Sequence, residues 1–407
     1  MKRFQAIEGL RGGLAWSVVF SHLVYFADIY EHGFGGRIAH LGRPAVLIFI
    51  IVSGFVITHV IVERPEPYRS YLTRRFMRIF PLFAVTSVIG YFACDLQVFT
   101  LTHVAYAVDP NFDFVLLVGG IASSDHRNLW LHILAHLTML HGAISDDVLP
   151  FSAYAFNIPA WSISLEWQFY LLAPFILMVV MRRRLLVPAA IMLAAAEAAY
   201  RAGLFGHFYQ PSFLLAASTY FAIGIACRLV YPLAAASTSY ALGIGAVIII
   251  LLLPIAGVPE ACVLLWMLVY VGLIVGREGA PDSLYARLHR TLWENPILLY
   301  FGSRSYSIYL AHIPAISLCH FVWMRMKPMA GPMETFVGLS MMTVPVLMAA
   351  AELLYRGVER PGIELGTRIA RWLSRPSVSD RHPSGSSLAG GGIVPAVAIA
   401  HPPAKML

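Results

Sequence analysis

Arg11 and His22 are the two residues whose types and spacing point most directly to chemistry. They stand at the two ends of RGGLAWSVVFSH, inside the first membrane-length apolar stretch. Eleven helical steps advance a helix by roughly 16 Å and about three turns, so both side chains fall on nearly the same helix face. Ionisable residues inside a bilayer are costly and indicate function. The spacing therefore aligns a cation that can hold an anionic ligand with an imidazole that can move a proton.

Position alone leaves a second interpretation of His22 open. A histidine in a membrane helix also serves in packing, where it bonds a neighbouring serine or a carbonyl. His312, in SRSYSIYLAHIPA, is another intramembrane imidazole and the main rival as a general base.

A basic cluster stands just before the predicted third membrane span, in YLTRRFMRIFPLF. Its members are Arg74, Arg75 and Arg78. Arg75 and Arg78 are one helical turn apart, so they can converge on one phosphate group. The alternative is a positive-inside anchor with no ligand.

Glu166 opens the predicted fourth span from the outer side, in NIPAWSISLEWQFYLLAPF. A carboxylate at the mouth of a span loses hydration, so we expect it to have a partner. The alternative is a glutamate that faces water, with Trp161, Trp167 and Tyr170 as an aromatic belt at the interface.

Other polar or small residues in the spans favour structural roles. Ser53 and Gly54 lie mid-span, which predicts a close helix approach. Glu359, in VERP, is expected to be structural and paired with an arginine. His132 and His136 are four residues apart but have no third ligand, so no metal site is predicted.

Composition predicts an all-α, polytopic membrane protein. Hydrophobic residues make up 58% of the 407 residues and charged residues 13%, against about 25% charged in soluble domains. Ten stretches are long enough to span a bilayer. They lie near 12–30, 44–62, 79–98, 164–181, 185–202, 212–230, 238–256, 259–276, 304–323 and 335–355.

The distribution of lysine and arginine predicts the orientation. With ten spans, 23 of the 29 Lys and Arg residues fall on the side of the N-terminus. The positive-inside rule then places both termini in the cytoplasm. This asymmetry explains the net charge of +7, so no nucleic-acid partner is needed.

Two regions fall outside this pattern of spans. Residues 99–163 contain short, His-rich apolar pieces, and we expect interfacial or re-entrant segments there, although a further pair of crossings would keep the parity. Because the predicted spans end before the change in composition at residue 374, we expect a transmembrane domain over 1–373. Residues 374–407 are rich in Ser, Pro and Gly, which predicts a disordered cytoplasmic tail.

Six segments, taken in order, resemble the acyltransferase 3 family of membrane O-acyltransferases, which modify bacterial polysaccharides, O-antigen, Nod factors and some macrolides. They are IEGLRGGLAWSVVFSHL, LIFIIVSGFVIT, RRFMRIFPLF, WSISLEWQFYLLAPF, SYSIYLAHIP and VERP. The family's Arg-x10-His pattern matches Arg11 and His22, and its Arg-x-x-Arg element matches Arg75 and Arg78. Its Trp-Ser-Leu-Ser-x-Glu element matches the segment that ends at Glu166.

The match departs from the family at one position and leaves one domain out. Many members carry a second acid after the glutamate of the Trp-Ser element, and here that position is Trp167. Some members also carry an esterase-like C-terminal domain. This chain has only the short tail after its transmembrane domain, so it is expected to be of the stand-alone type.

The resemblance implies a reaction and its site. His22 would be the catalytic residue, supported by Arg11 and Glu166. Arg75 and Arg78, with their neighbour Arg74, would bind the phosphates of a cytoplasmic acyl-CoA donor, most simply acetyl-CoA. His22 would either deprotonate a hydroxyl or accept the acyl group first.

The implied acceptor is a carbohydrate hydroxyl at or beyond the outer face of a bacterial inner membrane. The donor is a substrate, and no permanently bound cofactor or metal is implied. The rival function is a secondary transporter or flippase, since several spans with buried ionisable groups suit it too. Two features favour the enzyme: the Arg-x-x-Arg element is present, and the sequence shows no inverted repeat of the kind found in many transporters. Acceptor identity, acyl length and oligomeric state stay open.

Overall fold

The structure of the protein is a computed structural model that describes residues 4–29, 33–103, 113–237, 260–276 and 281–374. Within these ranges the regular elements are all helices. The predicted all-α class is therefore confirmed for the described part of the chain.

The described residues contain fifteen α-helices, numbered in chain order. They are α1 Gln5–Phe26, α2 Gly33–Ala39, α3 Gly42–Glu63, α4 Tyr68–His103, α5 Asp113–Arg127, α6 Leu129–Leu137, α7 Trp161–Val180, α8 Leu186–Arg201, α9 Ser218–Ala236, α10 Glu260–Ile274, α11 Leu284–Trp293, α12 Pro296–Ser303, α13 Ser305–Met326, α14 Pro332–Leu354 and α15 Arg360–Leu373.

Six segments of the described chain are long and apolar enough to cross a membrane. They are Gly33–Glu63, Tyr68–His103, Ile158–Val180, Leu214–Ala236, Ser305–Met326 and Pro332–Leu373. Each overlaps one of the ten predicted spans. The predicted span at 238–256 lies outside the described residues, as do the last 33 residues of the predicted tail, 375–407.

Three other predicted spans form helices that fall short of a full membrane span by length or composition. Helix α1 has 22 residues, but Glu8, Arg11 and His22 lower its mean hydropathy. Helices α8 and α10 have 16 and 15 residues, which gives lengths of about 24 and 22 Å against a hydrocarbon core of about 30 Å.

Two helices begin before the predicted membrane spans that they overlap. Helix α1 begins at Gln5 rather than near residue 12, so Arg11 lies inside the helix and not at its end. Helix α4 begins at Tyr68 and runs for 36 residues, about 54 Å. The Arg-x-x-Arg element, predicted to stand just before the third span, therefore lies within this helix.

Glycines allow close helix contacts where the sequence predicted one. A methyl group on Gly54 of α3 would lie 2.5 Å from Phe221 O of α9, and one on Gly224 would lie 2.1 Å from Ile51 O. Because real Cβ contacts are longer, only glycine fits at this crossing. The predicted close approach at Gly54 is confirmed.

Helix α13 packs against both α1 and α4, the helices that carry Arg11, Arg75 and Arg78. Tyr306 of α13 donates a hydrogen bond to Ile79 O of α4, at 2.7 Å. On the other side, Gly12 of α1 leaves room for the backbone of α12, where a methyl group would lie 2.6 Å from Leu298 O. The residues that follow α14 form a π-helical turn, Tyr355–Glu359, before α15.

Residues 113–163 form short elements in the part that the structure describes. Helices α5 and α6 have 15 and 9 residues, and neither is among the six spanning segments. His136 of α6 and the following His141 stack at 4.0 Å between ring centroids, and both rings stack on Phe83 of α4. These two histidines therefore pack against each other and against Phe83 in the interior of the protein.

Candidate functional site

A cavity of about 350 Å³ lies between α1, α3, α4, α7, α13 and the π-helical turn. Its polar lining comes from segments far apart in the sequence. The ionisable and hydroxyl residues of the lining are Glu8, Arg11, Ser53, His59, Arg75, Arg78, Ser162, Glu166, Tyr170, Ser303, Ser305, Tyr306, Tyr309, Tyr355 and Glu359. The cavity therefore gathers most of the residues that the sequence singled out.

Three arginines share this cavity. Arg11 comes from α1, and Arg75 and Arg78 come from successive turns of α4. Arg11 lies close enough to Arg78 for the two charges to repel each other. In the described ranges, none of the three guanidinium groups forms an ion pair. The cavity thus offers positive charge that no neighbouring carboxylate binds directly.

Arg75 has a further unused donor. Its Nε atom is buried and has no hydrogen-bond acceptor among the described residues. The rings of Tyr71 and Tyr170 each lie 5.9 Å from Arg75 Cζ, measured to the ring centroid, so they hold the guanidinium by cation–π contact. Ser305 Oγ, also in the cavity lining, is likewise buried without a partner. Both groups are available to an anionic or polar ligand.

Glu166 lies in the same cavity as the arginines. Its Oε1 accepts a hydrogen bond from Ser53 Oγ, at 3.1 Å, and another from the hydroxyl of Tyr170. Tyr170 is only 3% exposed. The part of the alternative that placed Tyr170 in an aromatic belt at the membrane interface is therefore wrong. Glu166 is expected to be partnered, and it is.

Glu359 is a second acid at the site, and the sequence assigned it only a structural role. It is 5% exposed, lines the cavity and accepts a hydrogen bond of 2.6 Å from Ser307. It also interacts electrostatically with Arg78 and Arg11. Its place in the π-helical turn fits the frequent occurrence of such turns at functional sites. The VERP motif was the available signal.

Arg74 is separate from the other two basic residues of its cluster. Its Nε donates to Glu66 Oε2, at 2.9 Å, and the side chain does not line the cavity. On a helix, neighbouring residues point about 100° apart, so Arg74 and Arg75 cannot share one face.

His22 does not line the cavity. Its ring lies against that of His312 on α13, with 4.9 Å between the ring centroids. His22 Nδ1 donates to Val18 O at 2.9 Å, and His312 Nδ1 donates to Tyr309 O at 2.5 Å. The expectation that His22 stands between Glu166 and the arginine pair was therefore wrong. Glu166, Arg75 and Arg78 lie together, and His22 stands apart from them.

A thin aromatic wall separates the histidine pair from the cavity. Tyr309 and Phe49 both line the cavity, and their ring centroids are 6.1 Å apart. The ring of His312 lies 5.8 Å from that of Tyr309. The Tyr309 hydroxyl is fixed by Ser162 Oγ, at 2.9 Å. His312 therefore contacts a residue of the cavity lining, and His22 lies against His312.

His132 and His136 each form a hydrogen bond to another part of the protein. His132 Nε2 bonds Ser124 Oγ at 3.1 Å, and His136 Nε2 lies 3.0 Å from Ala155 O. Across the described chain, no group of three His, Cys, Asp or Glu side chains is placed to hold a metal ion.

A comparison with protein families covers nearly all of this site. The model described as an acyltransferase domain, of the acyltransferase 3 type, matches residues 4–351. The chain belongs to the acyltransferase 3 family. Of the acids and bases discussed, Glu359 lies just beyond the matched acyltransferase 3 region.

Curated relatives carry related names over shorter stretches. Acyltransferase MdmB of Streptomyces mycarofaciens is 26% identical over 175 residues, which is 42% of this chain and 38% of that protein. A putative O-acetyltransferase of Staphylococcus aureus (strain COL) is 33% identical over 86 residues, 21% of this chain and 13% of that protein. The chain thus aligns with less than half of either relative. No solved structure matches.

Membership of the acyltransferase 3 family agrees with the helices described above. Six apolar helical segments and this family make the chain a multi-pass membrane protein. The family's Arg-x10-His and Arg-x-x-Arg elements map onto α1 and α4, and the cavity contains Arg11, Arg75 and Arg78 from these two helices.

Proposed function

We propose that the protein is a membrane-embedded O-acyltransferase. It moves an acyl group, most simply acetyl, from cytoplasmic acyl-CoA to a hydroxyl of a glycan or glycoside at or beyond the outer face of a bacterial inner membrane. The family and the names of the two relatives support the reaction class. The proposal includes ten spans and cytoplasmic termini, as the Lys and Arg distribution predicts.

The observation that carries the proposal is the set of three unpaired arginines in one cavity. Glu166 and Glu359 lie near these arginines but form no ion pair with them, so an anionic ligand can bind the guanidinium groups directly. CoA carries several phosphate negative charges, and a guanidinium group binds phosphate in two-pronged geometry. The cavity volume of about 350 Å³ lies within the usual range for small-ligand sites. Arg11, Arg75 and Arg78 would bind the donor.

The thioester must then reach His22. Arg11 and His22 are separated by roughly 16 Å along α1, a distance for the flexible arm between the CoA phosphates and its sulfur to cover. On this path the acyl group passes Phe49 and Tyr309, whose rings must rotate. With Nδ1 bound to Val18 O, a neutral His22 has its lone pair on Nε2. That nitrogen would take the hydroxyl proton or the acyl group.

Glu166 would act on the donor side in this scheme. It shares the cavity with the arginines and offsets part of their charge. Without such an acid, the site would bind CoA more tightly and release it more slowly. Tighter binding that is equal in the ground state and the transition state does not raise turnover. The acceptor hydroxyl would approach the histidine pair from the other side of the Phe49–Tyr309 wall.

A reconstitution experiment tests this function. Purified protein in nanodiscs is incubated with isotope-labelled acetyl-CoA and glycans extracted from source cells that lack the gene. Mass spectrometry should detect labelled acetyl esters for the wild type and only background for a folded His22→Ala variant. Equal labelling by the two proteins would show that His22 is not the reactive residue. No labelling in either, together with accumulation of an intact solute in vesicles, would favour a transporter.

A further inference from the structure

The contact between His22 and His312 constrains which nitrogen of each ring can react. The two rings are tilted by 59° with 4.9 Å between centroids. Each Nδ1 faces a backbone carbonyl oxygen, Val18 O for His22 and Tyr309 O for His312. A carbonyl oxygen only accepts hydrogen bonds, so each Nδ1 carries the hydrogen of a neutral ring. Both rings therefore have their basic lone pair on Nε2.

His312 Nε2 has no partner within the described ranges. The residue is 0% exposed, and this nitrogen is buried without a hydrogen bond. An unsatisfied buried acceptor is destabilising, so this nitrogen gains from accepting a proton or a hydrogen bond from a ligand. Neither ring is paired with a carboxylate in the part of the chain that the structure covers. The pair consists of two bases and no acid.

A single imidazole cannot perform both parts of an acyl-histidine reaction here. Once His22 Nε2 holds an acyl group, that nitrogen has no lone pair left for a proton, and Nδ1 is already protonated and bound to Val18 O. The acceptor hydroxyl must then lose its proton to another base. Of the described side chains in ring contact with His22, only His312 has a free basic nitrogen.

We propose that the two histidines divide the transfer, with His22 as the acyl carrier and His312 as the general base for the acceptor hydroxyl. This assignment rests on the proposed function and selects one of its two routes. In the first step, His22 Nε2 attacks the thioester carbonyl, an N–C bond forms, the C–S bond breaks, and CoA leaves as its thiolate. His22 is then an acylated imidazolium.

The second step returns both rings to their starting state. The acceptor oxygen attacks the acyl carbon, its proton passes to His312 Nε2, and the bond between the acyl carbon and His22 Nε2 breaks. The product ester forms and His22 is again neutral. His312 is left as an imidazolium and gives its proton to solvent, which balances the thiolate released before. No oxidant, reductant or further reactant is needed.

The test separates the two steps in a His312→Asn variant. The asparagine amide can still donate to Tyr309 O, so the local hydrogen bond is kept. Without an acceptor, acetyl-CoA should release about one CoA thiol per protein in the wild type and in this variant. Transfer to a glycan hydroxyl should fall by 10²–10⁴-fold in the variant, the usual contribution of a general base. His320→Asn, which changes another buried histidine of α13, is the matched control and should keep both activities.

Hydroxylamine gives a readout that a structural defect would not. It attacks acyl groups without a general base, so His312→Asn should still acylate hydroxylamine at the wild-type rate. Full glycan transfer by His312→Asn and His312→Gln would overturn the proposal, as would loss of thiol release in both variants when they are folded. His22→Ala losing thiol release supports the proposed function independently, and retaining it would reject the His22 role whatever His312 does.

Discussion

Ser53 Oγ of α3 donates a hydrogen bond of 3.1 Å to Glu166 Oε1 of α7 and holds this carboxylate inside the cavity that Arg11, Arg75 and Arg78 share. The hydroxyl of Tyr170 supplies a second hydrogen bond to the same oxygen. Glu166 is therefore fixed beside the arginines, and its negative charge acts on whatever they bind.

Glu166→Gln should strengthen donor binding and slow turnover. The amide oxygen can still accept from Ser53 and Tyr170, so the local structure is kept while one negative charge is removed. Less repulsion of the CoA phosphates should lower the Kd for CoA by roughly 3- to 10-fold at low salt, about 1 kcal/mol. Slower CoA release should lower kcat. Calorimetry and steady-state kinetics measure the two effects. An altered KM for the acceptor alone would place Glu166 at the acceptor site instead.

Arg75→Ala and Arg78→Ala should weaken donor binding strongly, and Arg74→Ala should not. A charge-assisted phosphate contact contributes about 1.5–3 kcal/mol, or roughly 10- to 150-fold in Kd. The Arg74 side chain binds Glu66 outside the cavity, so its loss should change the Kd for CoA by less than about 3-fold. Calorimetric titration with CoA at two salt concentrations measures this.

The surface arginine Arg69 on the same helix is the matched control for these variants. It is exposed, and Arg69→Ala should bind CoA like the wild type. Equal losses in Arg74→Ala and Arg75→Ala would indicate a general electrostatic effect of this end of α4 and would contradict a specific site.

Gly54→Ala should destabilise the protein without touching the cavity charges. The added methyl group would lie 2.5 Å from Phe221 O, and backbone atoms must shift to admit it, at a cost of about 1–3 kcal/mol. A thermal unfolding curve in detergent should move to lower temperature. Gly119→Ala is the control, because an added methyl group there would have no atom within 4 Å outside the adjacent residues and backbone of its own helix. A destabilised control with an unaffected Gly54→Ala would refute the packing argument.

Residues that share a helix or a short motif were the predictable part of the site. The spacing of Arg75 and Arg78 places both on one side of α4, and the structure has both in the cavity. The start of α4 at Tyr68 was not predictable from apolar content, because its first turns carry charged residues that a hydropathy window excludes. Arg74 was included by proximity in sequence, although its helical direction differs.

Contacts between distant segments were the unpredictable part. Glu359 reaches Arg11 and Arg78 only because the π-helical turn brings α15 back against α4. The contact of His22 with His312 depends on the parallel packing of α1 and α13, which one sequence does not reveal. Glu166 was predicted to lie on the far side of His22. That prediction came from counting positions within each span, which does not reveal the tilt and depth of the helices.

Oriented proteoliposomes test most directly whether acyl groups cross the membrane from the arginine cavity to a hydroxyl on the other side. Labelled acetyl-CoA is supplied on the side of the Arg-x-x-Arg end of α4, with the acceptor confined to the opposite compartment. We expect labelled ester in the acceptor compartment and CoA that stays where it was added, because its phosphate charges cannot cross hydrocarbon unaided. Ester formation only when donor and acceptor share one compartment would contradict the account.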